Sequence, residues 1–164
     1  MKKNILNLVI YQIGWLVCVI GGSVYAVAYT CLALLIHYRY IWEQKSEWHF
    51  ISLLGLSGCL WDILIVKSGI IEYGNPWLLG IPIWLICLWL LFATTFLHCL
   101  YWLNQYLRAA ALCSAIFGPT TYWLGMRFTD AMFTTALPVS LMIMALGWSL
   151  LFPTGLYIAR RYKD

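Results

Sequence analysis

The sequence predicts an all-α membrane domain, a polytopic bundle of six transmembrane helices with both termini on the cytoplasmic side. Three observations carry this prediction. Hydrophobic residues make up 63% of the 164 positions against 10% charged, with a mean hydropathy of +0.83, outside the range of a water-soluble domain. The ten lysines and arginines cluster at the ends of long apolar runs, mostly on alternate turns. The first apolar run is too long for one crossing and is broken by glycine. At roughly 20 apolar residues per crossing the chain has room for six or seven passes and none for a soluble domain, so residues 1–164 read as a single transmembrane domain.

The first two spans run from about Asn4 to Ile20 and from Val24 to His37. One helix covering both would be roughly 50 Å long, well beyond the apolar thickness of a bilayer. Gly21, Gly22 and Ser23 interrupt it where a tight turn is needed. The remaining spans are Phe50 to Val66, Trp77 to Cys99, Ala109 to Gly125 and Thr134 to Ala159. Cytoplasmic turns collect basic residues. With six spans and an inward N-terminus, Lys2, Lys3, Arg39, Lys45, Arg108, Arg160, Arg161 and Lys163 fall inside, and only Lys67 and Arg127 outside. Fusing the first two spans gives at best six against four.

Met1-Lys2-Lys3, the apolar run after it and the small-residue site Val24-Tyr25-Ala26 also resemble a cleavable signal peptide. The run continues directly into another span, which favours a retained helix. Trp48, Trp77, Trp102, Tyr73, Tyr101, Tyr106 and Tyr162 lie near span ends, as interfacial anchors do, whereas Trp15, Trp61, Trp84 and Trp89 are deeper and need packing partners. The net charge of +4 resides in these flanking anchors, so no nucleic-acid partner is expected. Membrane lipids are, with a membrane-protein partner or a second copy of the chain as further possibilities.

Chemistry is sparse. The six cysteines contain no CxxC pair and no metal-ligand spacing, and read as small apolar packing residues. No metal or other cofactor is expected. Helical spacing puts Ser52, Gly55, Cys59 and Asp62 on one face of the third span, and Thr95, His98, Trp102 and Gln105 on one face of the fourth. The first span aligns Asn4, Asn7, Tyr11, Gly14 and Cys18, with Gln12 on a neighbouring face. Ala110, Ser114 and Gly118 form a small-residue seam for close helix packing.

Asp62 stands apart, because a carboxylate inside the hydrocarbon costs several kcal/mol unless paired, protonated or hydrated. Two readings follow: an ion pair with Arg127 tying the third span to the fifth, or a proton-exchanging or headgroup-binding acid with Tyr122, Arg127 and Asp130 around it. His98 falls near the cytoplasmic boundary, roughly 20 Å in depth from Asp62, so the two do not form a dyad. His37 has a similar depth on another span, the placement that axial ligation of a haem needs. A boundary histidine more often hydrogen-bonds a neighbouring helix.

The run Asn7-Leu8-Val9-Ile10-Tyr11-Gln12-Ile13-Gly14-Trp15, the segment Leu88 to Thr95 leading to His98 and Trp102-Leu103, the element Gly118-Pro119 with Tyr122 and Gly125, and the late Gly147-Trp148 together resemble a family of small bacterial inner-membrane proteins described as a domain of unknown function. The resemblance spans nearly the whole chain. It implies a multi-pass protein of the bacterial inner membrane, encoded near lipid-modifying enzymes, with Asn7, Gln12, Trp15, Thr95, Tyr122 and Asp62 at motif positions. Tyr11 stands where that pattern has phenylalanine. Two functional classes are then expected: a protein that binds or helps to modify a lipid or other amphiphile through Asn7, Gln12, Thr95, His98 and Asp62, or a non-catalytic small carrier or packing subunit. No repeated aspartates, paired metal-binding histidines or serine-histidine-acid set indicate a catalytic reaction.

Overall fold

A backbone surrounded by hydrocarbon must satisfy its own N–H and C=O groups, and helices do this within one segment. In the computed structural model, which describes residues 1–163, helices dominate: α1 (Lys2–Ile36), which runs on through a π-helical turn at His37–Ile41, α2 (Ser46–Lys67), α3 (Ile83–Ala93), a 3-10 turn at Tyr101–Gln105, α4 (Leu107–Gly125) and α5 (Leu137–Lys163). Two short strands, β1 (Ile71–Glu72) and β2 (Met132–Phe133), pair antiparallel with Ile71 opposite Phe133, joining the connections at one end of the bundle. Among the described residues, three helices are long and apolar enough to cross a membrane: Lys2–Ile41, Ser46–Lys67 and Leu137–Lys163. Val24, Leu112, Leu146 and Leu150 are each at least 66% exposed, a distribution suited to lipid rather than water.

α1 is a folded-back pair. Gly22 has φ 72° and ψ −172°, a conformation essentially confined to glycine, and the helix reverses there. Across the two arms the Tyr29 hydroxyl donates to the Ile10 carbonyl at 2.8 Å, and Lys3 Nζ donates to the Ile41 carbonyl at 3.3 Å. The break falls within the predicted Gly21-Gly22-Ser23. Gly22→Ala is expected to lose about 1–3 kcal/mol through backbone strain, measurable as a lowered unfolding midpoint in detergent, since no neighbouring atom obstructs the added methyl.

The fourth predicted span needs correction. Its helix covers only Ile83–Ala93, opened by Pro82, and beyond it the chain continues in tighter and wider turns. The Thr94 and Thr95 hydroxyls donate to the carbonyls of Leu91 (2.7 Å) and Phe92 (2.6 Å), competing with regular helix bonding. Thr95 N–H then bonds the Phe92 carbonyl three residues back, and Leu100 N–H reaches Thr95 five back. That change of register breaks the expected shared face of Thr95, His98, Trp102 and Gln105. Thr95 and His98 are buried, but Trp102 is 60% exposed.

α1 and α2 pack on α3, while α4 packs chiefly on α5. An aromatic column joins these groups: the indoles of Trp89 and Trp148 stack 5.4 Å apart at 12°, and Phe92 meets both edge-on. Small residues admit the large rings. A β-carbon at Gly58 would fall 2.1 Å from Trp89 Cδ2, and one at Gly118 2.3 Å from Trp148 Cγ. The predicted seam on α4 is thus used, with the Ser114 hydroxyl donating to the Trp148 carbonyl at 2.9 Å.

Both described chain ends lie together. Glu43 pairs with Lys3 at 3.5 Å and Lys163 at 3.8 Å, and Arg160 donates to the Asn104 carbonyl. The Gly22 turn and the connection carrying Asp130 line a common cavity at the opposite end.

Candidate functional site

Because α1 packs on α3 and α4 on α5, a cleft is left between the first arm of α1 and α4, with a volume of about 740 Å³. Leu8, Gln12 and Trp15 line it from α1, Phe92 and Thr95 from the floor, and Phe117 and Thr121 from α4. Its rims are open: Leu8 is 43% and Phe117 68% exposed, so the cleft faces sideways. A smaller cavity of about 70 Å³ shares Tyr11, Trp15, Phe92, Thr121 and Trp148 with it and extends to Tyr73 and Tyr122.

Asp62 forms the wall behind that smaller cavity. It is fully buried, and neutral donors hold it: Trp89 Nε1 donates to Oδ2 at 2.5 Å and the Tyr122 hydroxyl to Oδ1 at 2.8 Å. The ion pair with Arg127 is not formed. Arg127 follows the end of α4, and its guanidinium lies 5.1 Å from the centre of the Trp123 ring. Keeping that cation hydrated at the helix end costs less than drawing it into the bundle. Burial, and then the charge of neighbouring Asp62, push the Tyr73 phenol well above its ordinary range, so it remains protonated. Its hydroxyl is buried next to Asp62, whose carboxylate interacts with it, but reaches no hydrogen-bond partner within 3.5 Å among the described residues.

A second cluster gathers at the end that holds the chain termini. The Nε2 atoms of His37 and His98 each lie 3.1 Å from the same carboxylate oxygen, Glu47 Oε2. All three residues are 2% exposed. His37 opens the π-helical turn, Glu47 sits in the first turn of α2, and His98 lies in the irregular turns after α3. The other carboxylate oxygen accepts the Glu43 N–H at 2.9 Å, and the His37 ring meets His98 edge-on at 5.2 Å and Trp48 at 5.9 Å. Glu47 Oε2 occupies the space between the two imidazoles that a haem iron would need, which removes that reading of His37 and His98.

The proposed polar residues therefore divide among several settings. Gln12, Trp15 and Thr95 line the cleft; Asp62 and Tyr122 bond each other behind the smaller cavity; His98 joins His37 and Glu47. Asn7 is buried, its Nδ2 donating to the Thr94 hydroxyl at 3.2 Å and the Thr94 carbonyl at 3.3 Å. Arg127 belongs to none of these groups. Sequence reasoning missed Glu47, Tyr73 and the role of Trp89. Only Trp89 carried a local signal, as a deep tryptophan in need of a partner.

Residues 4–154 match the family model described as Protein of unknown function (DUF2878). No curated protein and no solved structure matches the chain.

Proposed function

Because the chain belongs to the DUF2878 family of proteins of unknown function, its activity has to be inferred from its own architecture, and we propose that it is a multi-pass protein of the bacterial inner membrane that holds a lipid or similar amphiphile in the cleft between α1 and α4. The reading counts six passes. Each arm of the α1 pair, continued through residue 41, is about 30 Å long at 1.5 Å per residue, matching the hydrocarbon core. α3 alone covers only about 16 Å, and the turns running on to Gln105 lengthen that pass. An even number of passes agrees with the shared location of Lys3 and Lys163, and the excess of basic residues there supports a cytoplasmic placement of that end.

The observation that carries the functional reading is the cleft itself. Its volume of about 740 Å³ is in the range of small-molecule pockets, its walls are mostly apolar, and the few polar groups are Gln12, Thr95, Thr120, Thr121 and Ser114. Its sideways mouth lets an acyl chain enter from the bilayer without crossing water. Asp62 acts from behind: with both oxygens engaged it fixes Trp89 and Tyr122 in the wall of the smaller adjoining cavity, where the Tyr73 hydroxyl and the Trp148 indole N–H are the buried polar groups without a hydrogen-bond partner among the described residues.

Native mass spectrometry of the full chain, extracted gently from its membrane, tests the proposal. The wild type should carry lipid, and Thr120→Trp, which fills the cleft from α4 at a position that does not line the smaller cavity, should lose most of it while remaining folded. Equal lipid retention by the two proteins would eliminate the cleft as the binding place.

A further inference from the structure

The geometry points to a second site, independent of the cleft: we propose that His37, Glu47 and His98 bind one divalent transition-metal ion of the zinc class through His37 Nε2, His98 Nε2 and a Glu47 carboxylate oxygen. Three features carry it.

The first is distance. The three donor atoms lie within 4.8 Å of one another, and both nitrogens are 3.1 Å from Oε2. Charge-assisted hydrogen bonds are typically about 2.7–2.9 Å. Ligand atoms on a tetrahedral ion with bonds of about 2.0–2.1 Å stand about 3.3 Å apart, so small outward shifts admit the ion. The second is charge. Lys3 and Lys163 pair with Glu43, and among the described residues no lysine or arginine pairs with Glu47. A buried carboxylate left with two imidazoles is neutralised either by a proton on one ring or by a cation between them, and a divalent ion serves both rings at once. The third is construction. The Glu43 N–H fixes the carboxylate, two aromatic edges fix the His37 ring, and both histidines sit at turns closed by bonds five residues apart: Trp42 N–H to the His37 carbonyl, and Leu100 N–H to the Thr95 carbonyl. Wide helical turns of this kind are frequent at functional sites because they aim side chains that a regular helix does not.

Two imidazoles and one carboxylate suit zinc or iron(II) and exclude calcium and magnesium, which take oxygen ligands. The three ligands come from the second arm of α1, the start of α2 and the turns after α3. A bound ion would therefore staple these segments at the cytoplasmic end, leaving a fourth position for water or another donor.

The test uses the full chain in detergent, stripped with a chelator and then titrated with zinc or, as a spectroscopic probe, cobalt(II). Expected are one equivalent bound, a visible cobalt spectrum of low-coordinate nitrogen and oxygen ligation, and a rise in unfolding temperature with zinc. Glu47→Gln and His98→Gln should each weaken binding by more than about 100-fold, beyond the range of outer-shell substitutions. The exposed His49, two residues after Glu47, serves as the control, and His49→Gln should bind as the wild type does. A folded wild type that takes up neither metal overturns the proposal, whether or not the variants fold. So does an equal loss of binding in His49→Gln, which would mark nonspecific uptake.

Discussion

Asp62→Leu is expected to lower the stability of the folded bundle by about 2–6 kcal/mol, because it leaves the Trp89 indole N–H and the Tyr122 hydroxyl buried without their acceptor, at about 1–3 kcal/mol each. Asp62→Asn keeps a carbonyl oxygen for Trp89 and an amide that can donate to the Tyr122 oxygen, so only the Tyr122 proton loses its acceptor and the loss should be about 1–3 kcal/mol, smaller than that of Asp62→Leu. Reversible unfolding in mixed micelles separates the two variants. Equal, large losses in both would mean that the fold needs the negative charge itself, and a cation would then have to be sought near Asp62. Lipid retention by the asparagine variant adds a second readout: if the acid only positions the wall, binding in the cleft survives.

Gly58→Ala should be comparably damaging, although it adds a single methyl. The new carbon falls 2.1 Å from the Trp89 ring, which cannot slide away because Trp148 stacks on it and Asp62 holds its nitrogen. Overpacking of this kind costs about 1–3 kcal/mol, and displacement of the indole would add the lost bond to Asp62. The two substitutions act on one side chain. Their combined effect should therefore fall well short of the sum, and a double-mutant cycle between Gly58→Ala and Asp62→Leu measures the shortfall. Simple additivity would show that Trp89 does not link them.

The parts of the fold that were readable in the sequence rest on residues with one dominant physical preference. Three consecutive small residues mark the reversal of α1 because the turn at Gly22 needs a conformation other residues avoid. The Ala110, Ser114 and Gly118 spacing identifies the face of α4 that receives Trp148. The fourth apolar run was misjudged because hydropathy cannot distinguish a regular helix from turns in which threonine hydroxyls compete for carbonyls. Asp62 was conspicuous as a lone carboxylate, and Tyr122 was among the residues expected near it. Its other partner, Trp89, lies on a different helix, and nothing local specifies that contact. Glu47 was the least visible residue. At the start of a span it has the appearance of an ordinary anchoring charge, and only the packing of three separate segments turns it inward between His37 and His98.

The two wide turns carry a last consequence, for chain length. A turn closed five residues back holds one residue more than the α-helical turn it replaces. Deleting one residue between 37 and 41 would let the helix close regularly, at little local penalty, and would leave the segments on either side in nearly their present relation, because the wide turn already absorbs the extra residue; adding one more would swing them by about 100°. The hairpin would persist in either case, while an insertion would cost His37 and Glu47 their common orientation. Residue number in this short stretch is thus under a one-sided constraint that composition does not reveal: substitutions that preserve hydropathy and the loss of one residue should pass there, and a single-residue insertion should not.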